Sequence, residues 1–224
     1  MYKHIAILLA FGLAGCQPAT ESPSEPAVEV DAPEPATEIE GRDARAAEEL
    51  GRLARVLDAQ PEDVQARYAY RHPKETLEFF GIEPGMTVVE GLPGRGWYTK
   101  LLLPYLGKEG HLIGANYALE MWPYFPFGTD EFVETQRTWT TDWPAGAEEW
   151  RDEDSATLDA FVLGSMPDSL AGTADAVLLV RVLHNLANFD EEGGFLTAAL
   201  ADSFNILKPG CTLGIVQHQA REAM

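Results

Sequence analysis

The chain has 224 residues, with 36 Asp and Glu against 16 Lys and Arg, and a formal net charge of -20. This charge repels nucleic acid and anionic lipid headgroups, so we expect neither as a partner. Hydrophobic residues make up 46% of the chain, which is enough for one globular domain with its own core.

The first residues are typical of an exported lipoprotein. Lys3 precedes an apolar run over residues 5–14 that is too short to span a bilayer. Residues 13–16 (LAGC) resemble the lipobox of bacterial lipoprotein signals. The resemblance implies a signal peptide over residues 1–15, a lipid on Cys16, and a protein anchored to a membrane of the bacterial cell envelope. Gln17, which is not an aspartate, favours the outer membrane.

An acidic, Pro-rich tether is predicted next, over residues 16–41. Residues 17–40 carry seven acids, five prolines and no Lys or Arg, a composition that cannot bury enough apolar surface to fold. N-terminal helices are predicted over residues 42–80, because Leu53 and Leu57 fall on one helical face. The remaining residues, 81–224, are predicted to form the main domain.

Residues 81–100 (GIEPGMTVVEGLPGRGWYTK) carry the main functional signal. They predict a helix end, a turn, a buried strand over 86–89, a glycine-rich loop over 91–96 and a new helix. Glu90 lies where the strand enters the loop, and this edge is where open α/β sheets bind ligands. The glycines would let backbone N–H groups approach such a ligand closely.

Several interpretations of this loop compete. A phosphate-binding P-loop requires Lys after its last glycine, but Trp97 follows Gly96. The dinucleotide fingerprint G-x-G-x-x-G is absent. An acid followed by glycines suits a ligand with an ammonium, a carboxylate and a ribose, as in S-adenosylmethionine. A plain turn from strand to helix, with no ligand, is the remaining alternative.

Further strands are predicted over residues 111–115, 175–182 and 211–216, with a helix over 194–207 before the last. Strands separated by helices predict an α/β fold with a doubly wound, mostly parallel sheet. If Cys16 carries a lipid, Cys211 has no cysteine partner and is expected to be a small apolar strand residue.

The joint pattern resembles the class I S-adenosylmethionine-dependent methyltransferases. It comprises Glu90 with Pro93, Gly94 and Gly96, then ADAV at 174–177 and LKPG at 207–210. The sequences RHPKETLEFFGIEPGMTVVE, VRVLHN and LKPG further resemble a bacterial group of predicted methyltransferases, over about residues 64–220. The resemblance implies a Rossmann-like methyltransferase fold and S-adenosyl-L-methionine as cofactor. It places Glu90, Gly91, Pro93, Gly94 and Gly96 around the amino-acid end of that cofactor.

Three departures from the family pattern stand out. Leu92 replaces the first glycine of the loop, and Asn116 stands where an acid commonly binds the ribose hydroxyls. Asn116 is therefore expected to bind the ribose without a charge-assisted contact. The last two strands of the family fold are expected to be missing, so either the sequence is a fragment or the sheet is incomplete.

The region from residue 117 to residue 150 holds four tryptophans and shows no helical or strand period. We expect an irregular cap over the ligand-binding edge, which serves either as a substrate or adenine pocket or as a satellite core. In the resembled group the position of His184 faces the methyl group, so His184 is the candidate general base, with a structural role as the alternative. Arg181 is expected to pair with Asp175, Glu90 or a ligand carboxylate. The five histidines are scattered, so no metal site is predicted.

These features predict a lipid-anchored, S-adenosylmethionine-dependent methyltransferase with a small-molecule acceptor. The alternative is a non-catalytic envelope lipoprotein that uses the same cleft to bind a nucleoside or an apolar small molecule.

Overall fold

The computed structural model describes residues 51–219. The predicted signal peptide, the tether and Cys16 lie outside the described residues. In chain order the elements are α1 over 51–58, α2 Glu62–Gln65, α3 Tyr68–Arg71, α4 Pro73–Phe79, β1 Thr87–Gly91, α5 Thr99–Leu106, β2 His111–Asn116, α6 Asp130–Gln136, α7 Trp139–Ala147, β3 Thr157–Val162, β4 Ala174–Val180, α8 Leu183–Asn188, α9 Asp190–Gly193, α10 Phe195–Ile206 and β5 Leu207–Val216.

The five strands form one parallel sheet in the order β3-β2-β1-β4-β5. This arrangement confirms the predicted doubly wound α/β fold. The chain builds outward from β1 through β2 to β3 and then returns to the other side of β1 with β4. The direction of winding therefore reverses between β1 and β4, and the carboxyl ends of these two strands form the crevice where such sheets bind ligands.

Helices pack on both faces of the sheet. Consecutive strand residues point to opposite faces, so the side chains of β1 contribute to two cores. Val88 of β1 packs in a core that includes Leu53 of α1 and Leu101 of α5. Val89 packs on the other side, in a core that includes Leu186 of α8. The N-terminal helices thus share a core with the sheet, and β1 is buried on both faces as predicted.

Two parts of the sequence analysis are corrected by the structure. Strand β3 was not predicted; it is an edge strand whose residues are mostly exposed or half-buried, so it lacks the continuous apolar run of the central strands. The aromatic segment is not irregular, because it contains helices α6 and α7. The four-residue spacing of Trp139 and Trp143, whose rings stack 5.4 Å apart, was the available helical signal.

Cys211 is bonded in a disulfide. The expectation of an unpaired cysteine in β5 is therefore wrong for this structure. Within residues 51–219 no helix is both long enough and apolar enough to cross a membrane.

Candidate functional site

A cavity of about 380 Å³ lies at the carboxyl ends of β1 and β4. Its walls come from α3, the loop after β1, the end of β4, the start of α8 and the segment after β5. The cavity therefore occupies the point where the winding of the sheet reverses, which is the expected ligand position in this fold.

Glu90 lies at the inner wall of this cavity, near the end of β1. Its side chain is 6% exposed, and Thr99 of α5 donates a hydrogen bond from Oγ1 to its Oε2 at 2.7 Å. Burial raises the pKa of Glu90 to about 7, although the hydrogen bonds from Thr99 and the charge of Arg71 act in the opposite direction. Glu90 therefore changes its charge near neutral pH, unlike an ordinary surface carboxylate.

The loop after β1 adopts left-handed backbone conformations at Leu92, Gly94 and Gly96, with φ values of 51°, 58° and 73°. Leu92 stands where the methyltransferase pattern that the sequence resembles has its first glycine. Its backbone has the conformation that glycine adopts without strain. At Gly94 an added Cβ would have room, so φ alone requires a glycine there. At Gly96 an added Cβ would lie 2.2 Å from the ring of Trp150, which covers this end of the loop.

Arginine side chains dominate the charge of the cavity. Arg71 holds its guanidinium carbon 4.5 Å from the ring centroid of Trp97, and its buried Nε has no hydrogen-bond partner among the described residues. The pKa of Arg71 is lowered by burial first and then by the charges of Arg181 and Arg67. Arg95 also lines the cavity, from the glycine-rich loop.

Arg181 does not pair with Asp175, one of its predicted partners. The Asp175 carboxylate instead accepts from Nζ of Lys208 at 2.6 Å and from the backbone N–H of Thr87 at 2.8 Å. Arg181 also has a left-handed backbone, with φ of 59°, directly after β4. Non-glycine residues in this conformation cluster at ligand sites, where the surrounding structure holds the strain.

The sequence analysis missed Arg67 and Arg71, although these residues lie one helical turn apart in the sequence RYAYR. That spacing is a weak signal by itself, because paired basic residues are common on exposed helix faces. Their place in the lining of a cavity follows only from the position of α3 in the folded protein.

His184 lines the cavity at the start of α8, together with His218 beyond β5. The two imidazole rings lie 6.5 Å apart, and Nε2 of Gln217 lies 3.1 Å from Nδ1 of His184. His184 therefore lies on the same cavity as Glu90, and its catalytic role stays a prediction.

Asn116 lies at the end of β2 but does not line this cavity. Its side chain is 3% exposed; Nδ2 donates to Oε1 of Gln136 at 3.2 Å, and Oδ1 accepts from the N–H of Tyr117 at 3.0 Å. The cavity thus brings together Glu90, Gly91, Pro93, Gly94 and His184 from the predicted site residues, and leaves Gly96 and Asn116 outside.

The aromatic segment packs as core and does not line the cavity. Trp122 joins a cluster with Tyr117, Phe125 and Phe132, at ring distances of 5.2 to 5.4 Å. Trp143 lies against β2, where an added Cβ on Gly114 would come within 2.5 Å of its ring. These contacts favour the satellite core over the substrate pocket.

Metal chemistry has no visible centre in the described part of the chain. No group of three or more His, Cys, Asp or Glu side chains within residues 51–219 is placed to hold a metal ion.

No protein-family model matches the chain, and no curated protein matches it. Among solved structures, the chain is similar to a SAM dependent methyltransferase from Aquifex aeolicus, at 13% identity, 77% coverage of each chain and a TM-score of 0.44. It is also similar to the CurJ carbon methyltransferase, at 16% identity and a TM-score of 0.40, with 83% of this chain and 51% of that one covered. The aminoglycoside resistance methyltransferase NpmB1 matches at 19% identity and a TM-score of 0.35, over 63% of this chain and 60% of that one. Each likeness concerns the fold alone.

Proposed function

We propose that this protein is an S-adenosylmethionine-dependent methyltransferase that acts on a small-molecule acceptor and is anchored in the cell envelope through a lipid on Cys16, which requires that the Cys16 sulfur is not the disulfide partner of Cys211. The observation that carries the enzymatic part is the position of Glu90. A buried carboxylate and a left-handed, glycine-containing loop open together on one cavity, at the point where the sheet reverses its winding.

The residues of this cavity fit the amino-acid end of the cofactor. The Glu90 carboxylate can accept hydrogen bonds from an ammonium group, and the backbone N–H of Gly94 can donate to a carboxylate. Pro93 has no N–H, and the N–H of Leu92 already donates to the backbone carbonyl oxygen of Ala115 at 2.7 Å. At the ribose end the fit requires a rearrangement, because the Asn116 amide is bonded to Gln136 and to the backbone of Tyr117. The bond to Gln136 uses one of the two Nδ2–H donors, so the buried side chain must become accessible from the cavity before the second donor can bind a diol.

When bound, S-adenosylmethionine supplies an electrophilic methyl group for in-line attack by the acceptor. The protein contributes alignment, since the cavity walls from β1 and β4 would hold the reactants side by side. His184 is placed on the rim of the same cavity, where it can accept a proton from an acceptor that must lose one.

A second candidate function is a non-catalytic binding module. Two observations favour it: Trp150 covers Gly96, and the buried Asn116 does not line the cavity. Both reduce the room for the nucleoside half of the cofactor. The arginines make the cavity strongly polar, so a module of this kind would bind a polar molecule instead of an apolar one.

Calorimetric titration of S-adenosylmethionine and S-adenosylhomocysteine into the mature chain tests the proposal. We expect micromolar binding that is lost in Glu90→Ala and retained in Glu109→Ala, because Glu109 is exposed and does not line the cavity. Absence of binding by a folded wild-type protein would contradict the methyltransferase function and support the binding module.

A further inference from the structure

The cavity concentrates positive charge in a protein that is strongly negative as a whole. Arg67, Arg71, Arg95 and Arg181 all line it, whereas Glu90 is the one acidic residue among the described residues of its lining. The whole chain has a formal net charge of -20. A random surface of such a protein would be rich in acids, so this local excess of arginine calls for a physical reason.

These arginines lack compensating carboxylates. None of the ion pairs found among residues 51–219 includes any of the four. Arg71 is half-buried, and its solvent-inaccessible Nε has no hydrogen-bond partner among the described residues. Glu90 lines the same cavity, but its own burial raises its pKa to about 7 and so weakens its negative charge at neutral pH.

Clustered arginines without acids are unfavourable in the empty protein. Burial lowers the pKa of Arg71 first, and the charges of Arg181 and Arg67 lower it further, so each of these two arginines repels the Arg71 guanidinium. The contact between Arg71 and Trp97 holds one guanidinium in place in spite of this repulsion. A bound anion would remove the repulsion, and a planar guanidinium matches the geometry of an oxyanion.

We propose that Arg67, Arg71 and Arg181 bind the carboxylate or phosphate group of the small molecule that this cavity accepts. The identification of that molecule as the methyl acceptor rests on the proposed methyltransferase function. Charge balance supports it, since S-adenosylmethionine carries a net positive charge and cannot by itself neutralise the arginines. An acceptor with an oxyanion group would compensate both the arginines and the sulfonium beside them.

Calorimetric titration of the mature chain with inorganic phosphate, and separately with malonate, tests the arginine site without any need for activity. Ionic strength is held constant with sodium chloride, because screening weakens such contacts. We expect Arg71→Gln and Arg67→Gln to weaken the binding of the preferred anion about tenfold to a hundredfold each. Arg55→Gln serves as the matched control, since Arg55 is exposed, lies outside the cavity and makes the same change in net charge.

Arg67 is exposed, so its replacement tests the site even if Arg71→Gln fails to fold. The comparison of phosphate with malonate identifies the preferred oxyanion. Failure of both anions to bind, or an equal loss in Arg55→Gln, would overturn the proposal.

A repeat in saturating S-adenosylhomocysteine separates the acceptor from the cofactor. Unchanged anion affinity in the ternary complex supports an acceptor site. Competition between the anion and S-adenosylhomocysteine would show that the arginines bind the cofactor's own carboxylate and would overturn the acceptor assignment. Anion binding with no affinity for S-adenosylhomocysteine would refute the methyltransferase function while the arginine site itself stands.

Discussion

Replacement of Glu90 by glutamine should raise the free energy of unfolding at alkaline pH and lower the affinity for S-adenosylhomocysteine. The side chains have nearly the same shape, and the amide oxygen of glutamine can still accept the hydrogen bond from Thr99 Oγ1. The difference between them is charge, because glutamine is neutral at every pH. The variant therefore isolates the free energy of burying the ionised carboxylate.

The magnitude follows from the raised pKa of Glu90, which moves from the ordinary value of 4.5 to about 7. A shift of one unit corresponds to about 1.4 kcal/mol, so burial of the charged form destabilises the folded protein by about 3 kcal/mol. Between these pH values the folded protein retains a proton that the unfolded chain releases. The contribution of Glu90 to stability therefore falls as the pH rises from 4.5 to about 7 and stays constant above that.

Urea unfolding of the mature chain, followed by tryptophan fluorescence at pH 5 and pH 8, measures this effect. We expect Glu90→Gln to exceed the wild type's free energy of unfolding by about 1 kcal/mol at pH 5 and by about 3 kcal/mol at pH 8. Glu109→Gln, at an exposed position, should show no such difference. A Glu90→Gln variant that is less stable than the wild type at pH 8 would refute the reasoning, because attraction between Glu90 and Arg71 would then outweigh burial.

The same variant links stability to function. Under the proposed function, Glu90→Gln loses affinity for S-adenosylhomocysteine and gains stability. This trade-off between stability and function is common at sites that bury a charge to bind a ligand. Wild-type binding should strengthen as the pH rises through about 7, since only the ionised carboxylate attracts an ammonium group.

Gly94→Val should abolish cofactor binding and reduce the free energy of unfolding by about 1–2 kcal/mol, because φ at Gly94 is 58°. The control Gly146→Ala, on an open helix face, should leave the cofactor affinity measured by titration calorimetry unchanged. His184→Asn should lower kcat for methyl transfer without a change in the KM for S-adenosylmethionine, and unaltered steady-state kinetics would leave His184 a structural role. Mass spectrometry of the mature N-terminal peptide, without reduction, should show a lipid thioether on Cys16; a disulfide between Cys16 and Cys211 would exclude it, since one sulfur cannot form both bonds.

The central part of the fold could be predicted from the sequence alone. Strand β1, its glycine-containing loop and helix α10 depend on features that neighbouring residues supply: runs of apolar residues, helical spacing, and turn residues at the boundaries. The helix predicted over residues 194–207 is observed as Phe195–Ile206, and the strand predicted over 211–216 lies within β5. The position of Glu90 on a ligand-binding edge also follows from this local order.

Tertiary structure decided which side chains line the cavity. Arg71 and Arg181 are far apart in sequence, and they line one cavity because α3 and the carboxyl end of β4 both border it. Gln136 binds the Asn116 amide, and Trp150 covers Gly96, because the segment after β2 folds back over the sheet. No local pattern encodes such contacts, since they depend on which elements the sheet order brings together. Local sequence therefore determined where the cavity lies, whereas the charge of that cavity depended on long-range packing.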